Sequence, residues 1–133
     1  MSFSRRALIS TAALAGAAVR ALKPRSLRSL VFVVPEGVSA PDGVKAVAEG
    51  AIVGNFDPDT YKSDRKDQTV RSLTVVASGD QVALQQAMDQ ARIVAESQNF
   101  TRELVNEPSN CMTPTILANR ARDMAKDTGL KVQ

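Results

Sequence analysis

Two complete stretches of this 133-residue chain read firmly as β-strand, and helical patterning flanks both. Residues 30–34 (LVFVV) form a short β-branched run stopped by Pro35-Glu36-Gly37, which predicts a buried strand. Residues 70–77 (VRSLTVVA) form the second, closed by Ser78-Gly79. Two strands bury little by themselves, because a sheet ordinarily needs three or more to stand alone. The helices must therefore supply most of the core, and the fold reads as a truncated part of a larger design.

Four helices are expected around these strands. The first covers residues 4–23, Ala-rich, with a loose stripe of Leu8, Ala12, Leu14, Val19 and Leu22, and Pro24 ends it. A second starts at Pro41-Asp42 and runs through Val44, Ala46, Val47 and Ala48. Gly50 and Gly54 in its later turns either permit close packing or mark fraying. The third is long. Asp80 is placed to cap it, Leu84, Ala87, Met88, Ala91, Val94, Ala95, Leu104 and Val105 recur at helical steps, and Pro108 stops it. Thr113 caps the fourth, with Pro114 at its first position, Met112 stapling onto Leu117, and Gly129 closing it with Leu130 packing back. Residues 130–133 look like the opening of another strand. The order α-β-α-β-α-α-(β) belongs to the α/β class. The expected layout is an incomplete N-terminal α/β domain over residues 1–79, a connector helix and linker over 80–112, and the start of a further domain over 113–133.

Composition removes much familiar chemistry. The chain has no His and one Cys, which excludes Ser-His-Asp and Cys-His catalysis, zinc fingers, CxxC redox pairs and internal disulfides. Aromatic residues make up 4%, with no Trp, so a base-stacking platform is not expected. The net charge of +3 is unevenly spread. Residues 1–35 hold Arg5, Arg6, Arg20, Lys23, Arg25 and Arg28 with no acid, whereas the remainder is slightly acidic. Six dispersed cations without aromatics are a weak nucleic-acid footprint. Arg5-Arg6 followed by a small and apolar run also has the layout of a twin-arginine or secretory signal, with a transit peptide or an internal helix as the other readings. The run is too short to span a bilayer.

Candidate chemical groups are few, and each has a structural reading. Asp57, Asp59, Asp64 and Asp67 cluster in a polar stretch, but Lys62, Arg65 and Lys66 lie among them and no closing bidentate Glu follows, so a solvated loop is expected. Cys111 adjoins a helix start, where the dipole favours a thiolate; with no His available, a small half-buried thiol is expected. Glu103 and Glu107 stand four apart, the spacing of a solvated helix face. Arg102 reads as a surface or interface charge, and Asn106 as a partner for a helix-end carbonyl. There is no GxGxxG, Walker A loop, GxSxG elbow or EF-hand loop.

Two segments are more specific than their chemistry. Residues 91–115, ARIVAESQNFTRELVNEPSNCMTPT, resemble the segment that joins the two domains of the leucyl aminopeptidase (cytosol aminopeptidase) family. Arg102, Leu104, Val105, Asn106, Pro108, Asn110, Thr113 and Pro114 stand at the matching positions. Residues 48–63, AEGAIVGNFDPDTYKS, are similar to a segment of that family's N-terminal domain, with Phe56 in place of the usual Tyr. Residues 15–23, AGAAVRALK, resemble the helix that precedes its strands, which favours an internal helix over a signal at this end. The resemblance extends over about residues 10–133.

The resemblance implies a two-metal exopeptidase that removes N-terminal residues, commonly Leu, from peptides, with zinc, manganese or magnesium activating a bridging water. It also implies a hexamer, while the lack of a disulfide-capable cysteine pair makes the cytoplasm the expected compartment. The family's metal ligands lie in motifs of the form VGKG.TFDsGG and NTDAEGR, and neither occurs in this chain. No catalytic, metal-binding or cofactor-binding residue is therefore assigned, and the chain alone is expected to be inactive. A non-catalytic interaction module, docking onto subunits or contacting DNA, and a gene remnant are the alternatives.

Overall fold

A computed structural model of the chain describes residues 5–58, 61–64 and 67–131. Its elements are α1 (Arg5–Leu22), followed by a 3₁₀ turn at Lys23–Arg25, then β1 (Ser29–Val33), α2 (Ala40–Asn55), β2 (Ser72–Val76), α3 (Gln81–Asn106) and α4 (Pro114–Thr128). The chain divides into two compact units, Met1–Asn99 and Phe100–Gln133. α3 is one continuous helix that belongs to the first unit up to Asn99 and to the second from Phe100 onward.

In the first unit β1 and β2 pair in parallel, in register from Ser29 opposite Ser72 to Val33 opposite Val76. A parallel pair needs a long crossover, and α2 lies in it. Ala15 and Val19 of α1, Val47 and Ala51 of α2, Leu30 of β1 and Val70 form the core, with Leu22, Phe32, Leu73 and Val75 packed against it. The helices thus cover one face of the sheet. Val31 and Val33 are 66% and 71% exposed, so β1 is half-buried, not buried on both faces as its unbroken apolar run suggests.

α1 and α2 approach backbone to backbone through small residues. A Cβ placed on Gly50 would lie 2.0 Å from the Ala12 carbonyl oxygen, and one on Gly54 would lie 2.7 Å from the Gly16 Cα. The two α2 glycines therefore serve packing, and α2 stays helical through both. This contact also decides which side of α1 turns inward. Thr11, Ala15, Gly16 and Val19 are buried, while Leu14 is 71% exposed and lies off the stripe expected for it. A leucine is too bulky for a seam where glycine faces glycine.

α3 starts as predicted, with the Asp80 carboxylate accepting from the Ala83 N–H at 2.9 Å. Its buried stripe is narrow, consisting of Ala87, Ala91 and Ala95; Val94 and Val105 are exposed. Ser97 Oγ donates back to the Ile93 carbonyl, and Asn99 Nδ2 donates to the Ile52 carbonyl at 3.1 Å.

In the second unit, the N–H groups of Cys111 and Met112 both donate to the Pro108 carbonyl, which closes a turn. Thr113 Oγ1 then accepts from Ile116 N–H at 3.3 Å, with Pro114 at the first helical position. Gly129 ends α4 at φ 72°, a left-handed conformation that glycine adopts without a Cβ clash. The Leu130 N–H returns to the Ala125 carbonyl, but the Leu130 side chain is exposed and does not pack back. Leu130 and Lys131 have no regular structure, and the expected strand otherwise lies outside the described residues.

Candidate functional site

The strongest polar constellations are fastenings, and each joins segments distant in sequence. At the end of α2, Asn55 Nδ2 donates to the Val70 carbonyl at 2.8 Å while its Oδ1 accepts from the Val70 N–H at 3.0 Å. Lys23 Nζ donates to the Asn55 and Phe56 carbonyls at 2.9 and 3.5 Å, a cation placed on the negative end of the helix dipole. The C-terminus of α2 is thereby tied both to the end of α1 and to the segment entering β2.

Asp67 organises the same entry from the other side. Its carboxylate accepts from the Thr69 N–H at 3.0 Å, from Arg71 Nη2 at 2.9 Å and from Arg28 Nη1 at 3.3 Å. Arg28 also donates to the Thr69 carbonyl at 2.9 Å and to the Asp67 carbonyl. The Thr69 backbone hydrogen bond, followed by the Arg71 guanidinium, holds the Asp67 carboxyl far below the usual carboxylate range. The loop carries an exposed acid as expected, but that acid is held by two arginines. Asp59, from the same sequence cluster, lies outside the described residues.

Glu107 is corrected more sharply. It lies one residue beyond α3, its side chain is 10% exposed, and its Oε1 accepts from Arg120 Nη2 at 3.1 Å. It is not the partner of Glu103 on a solvated face, because the turn at Pro108 carries it toward α4 within the second unit. Arg102 is half-buried, Asn106 is exposed and Cys111 is half-buried.

Concave surface in the first unit is modest. A cleft of about 170 Å³ is lined by Val19, Ala51, Ile52, Asn55, Val70 and Arg71. A groove of about 290 Å³ is lined by Leu8, Ile9, Ala12, Asp42, Lys45 and Glu49. In the first, the Asn55 amide and the Val70 backbone are already paired with each other, and the Arg71 guanidinium with Asp67. The second holds the Lys45–Glu49 pair at 3.9 Å.

Several carboxylates are engaged locally. Asp42 accepts from Ser39, Asp80 caps α3, Asp89 accepts from Gln85, Glu96 pairs with Arg92, and Asp123 with Lys126. Among the described residues, no three His, Cys, Asp or Glu side chains gather as a metal would require.

The sequence itself has close counterparts. A probable cytosol aminopeptidase of Koribacter versatilis (strain Ellin345) is 46% identical over 136 residues, covering 88% of this chain. One of Solibacter usitatus (strain Ellin6076) is 42% identical over 120 residues, covering 90%. This chain belongs to the leucyl aminopeptidase (cytosol aminopeptidase) family. It spans 26% and 25% of the length of those two family members. A plant member, leucine aminopeptidase A2, chloroplastic, of Solanum lycopersicum, is 30% identical over 84% of this chain. No family model matches. Among solved structures, the bottromycin maturation enzyme BotP superposes with a TM-score of 0.79 at 30% identity, covering 93% of this chain and 26% of BotP. BotP in its complex with Mn gives a TM-score of 0.76.

The fastenings were hard to see in advance. The i,i+4 spacing of Asp67 and Arg71 and the GxxxG spacing of Gly50 and Gly54 were the available signals. Nothing local pointed to Asn55 with Val70 or to Arg28 with Asp67.

Proposed function

We propose that this chain is the scaffold portion of a metal-dependent leucyl aminopeptidase that hydrolyses N-terminal residues, commonly Leu, from peptides. Residues 1–79 form the later part of its N-terminal α/β domain, 80–112 its connector helix and linker, and 113–133 the entry to its catalytic domain. The observation that carries this reading is the 46% identity, over 88% of the chain, to a protein named as a cytosol aminopeptidase. A cytoplasmic location and hexameric assembly accompany the proposal. No helix among the described residues is long and apolar enough to cross a membrane.

The chain's own residues do not fit the metal pair that this activity uses. Asp67, Glu107, Asp42 and Asp80 are engaged by arginines, a hydroxyl and a helix N-terminus, and among the described residues no three carboxylate or thiol groups gather. The role of this segment is to hold the fold, and by itself it is inactive.

A domain-replacement experiment tests the family role. The matching segment of the Koribacter versatilis relative is exchanged for residues of this chain, and hydrolysis of a leucyl p-nitroanilide is followed with Mn²⁺ present. Retained activity supports the proposal. A chimaera that folds and assembles like its parent yet has lost turnover speaks against it.

Of the non-catalytic readings, subunit docking is favoured over nucleic-acid contact. Lys23 and Arg28, two of the six cations near the N-terminus, are already engaged within the fold. Co-purification with a longer family member would support docking, and a salt-sensitive gel shift would support DNA contact.

A further inference from the structure

We draw no further inference here: the strongest candidate, the outward sheet face at Val31, Val33 and Val76, is exposed and apolar, but nothing in the structure shows what covers it.

Discussion

The side chain of Asn55 satisfies both backbone polar groups of Val70, its amide donating to the carbonyl and its oxygen accepting from the N–H. Val70 is itself buried, so these groups have little access to water. One side chain therefore does for this position what a neighbouring strand would otherwise do. It also fixes the end of α2 against the entry to β2, which helps set the register of the parallel pair.

Replacing Asn55 by Leu leaves both Val70 groups without their partner. An unmet buried polar group costs about 1–3 kcal/mol. Urea unfolding of Asn55→Leu is expected to show a loss in that range. Asn55→Asp, which sets a carboxylate oxygen against the Val70 carbonyl at the C-terminus of α2, is expected to be at least as destabilising at neutral pH.

Gly50→Ala reverses the usual sign of a glycine substitution in a helix. Alanine there ordinarily stabilises by about 0.5–1 kcal/mol. At Gly50 its Cβ would fall 2.0 Å from the Ala12 carbonyl oxygen, so the helices must separate. A loss of about 1–3 kcal/mol is expected in thermal unfolding. A gain in stability would show that α1 and α2 do not meet at this seam.

Asp67 links the first unit to acid. Its folded-state pKa is depressed, so its contribution to stability is present above the unfolded value of about 3.9 and is lost as pH falls below it. Asp67→Asn is expected to be less stable than wild type at pH 6, with the gap narrowing as pH falls below about 3.9 and not yet closed at pH 2. Because the group is exposed, the difference is expected to shrink in high salt.

Glu107 and Arg120 test the second unit in the same way. A double-mutant cycle with Glu107→Gln and Arg120→Met is expected to give a coupling of roughly 0.5–1 kcal/mol, because Glu107 is mostly covered while Arg120 is partly exposed. Zero coupling would place Glu107 in solvent, as its spacing from Glu103 suggests.

Features written in short spans were legible from sequence. The Asp80 cap, the Pro108 stop, Thr113-Pro114 at the start of α4 and Gly129 at its end all depend on residues within one helical turn. The element order was legible for the same reason. Features that depend on a distant partner were not. Leu14 fits a helical stripe by spacing, but the glycines of α2 admit only small side chains opposite them, so it faces solvent. The run from Leu30 to Val34 reads as buried on both faces, yet helices lie on one. Glu107 reads as helical and solvated until the turn at Pro108 carries it to Arg120. Family membership was legible from the block around Arg102–Pro114, because the break and restart between two helices constrain several positions at once.

The central claim is that this chain carries scaffold and no catalysis. It is tested most directly by the rate of leucyl p-nitroanilide hydrolysis by the purified 133-residue chain with Mn²⁺. The expected rate equals that of Mn²⁺ alone. Turnover proportional to protein concentration and abolished by a chelator would contradict the claim, because it would require a metal site within these residues.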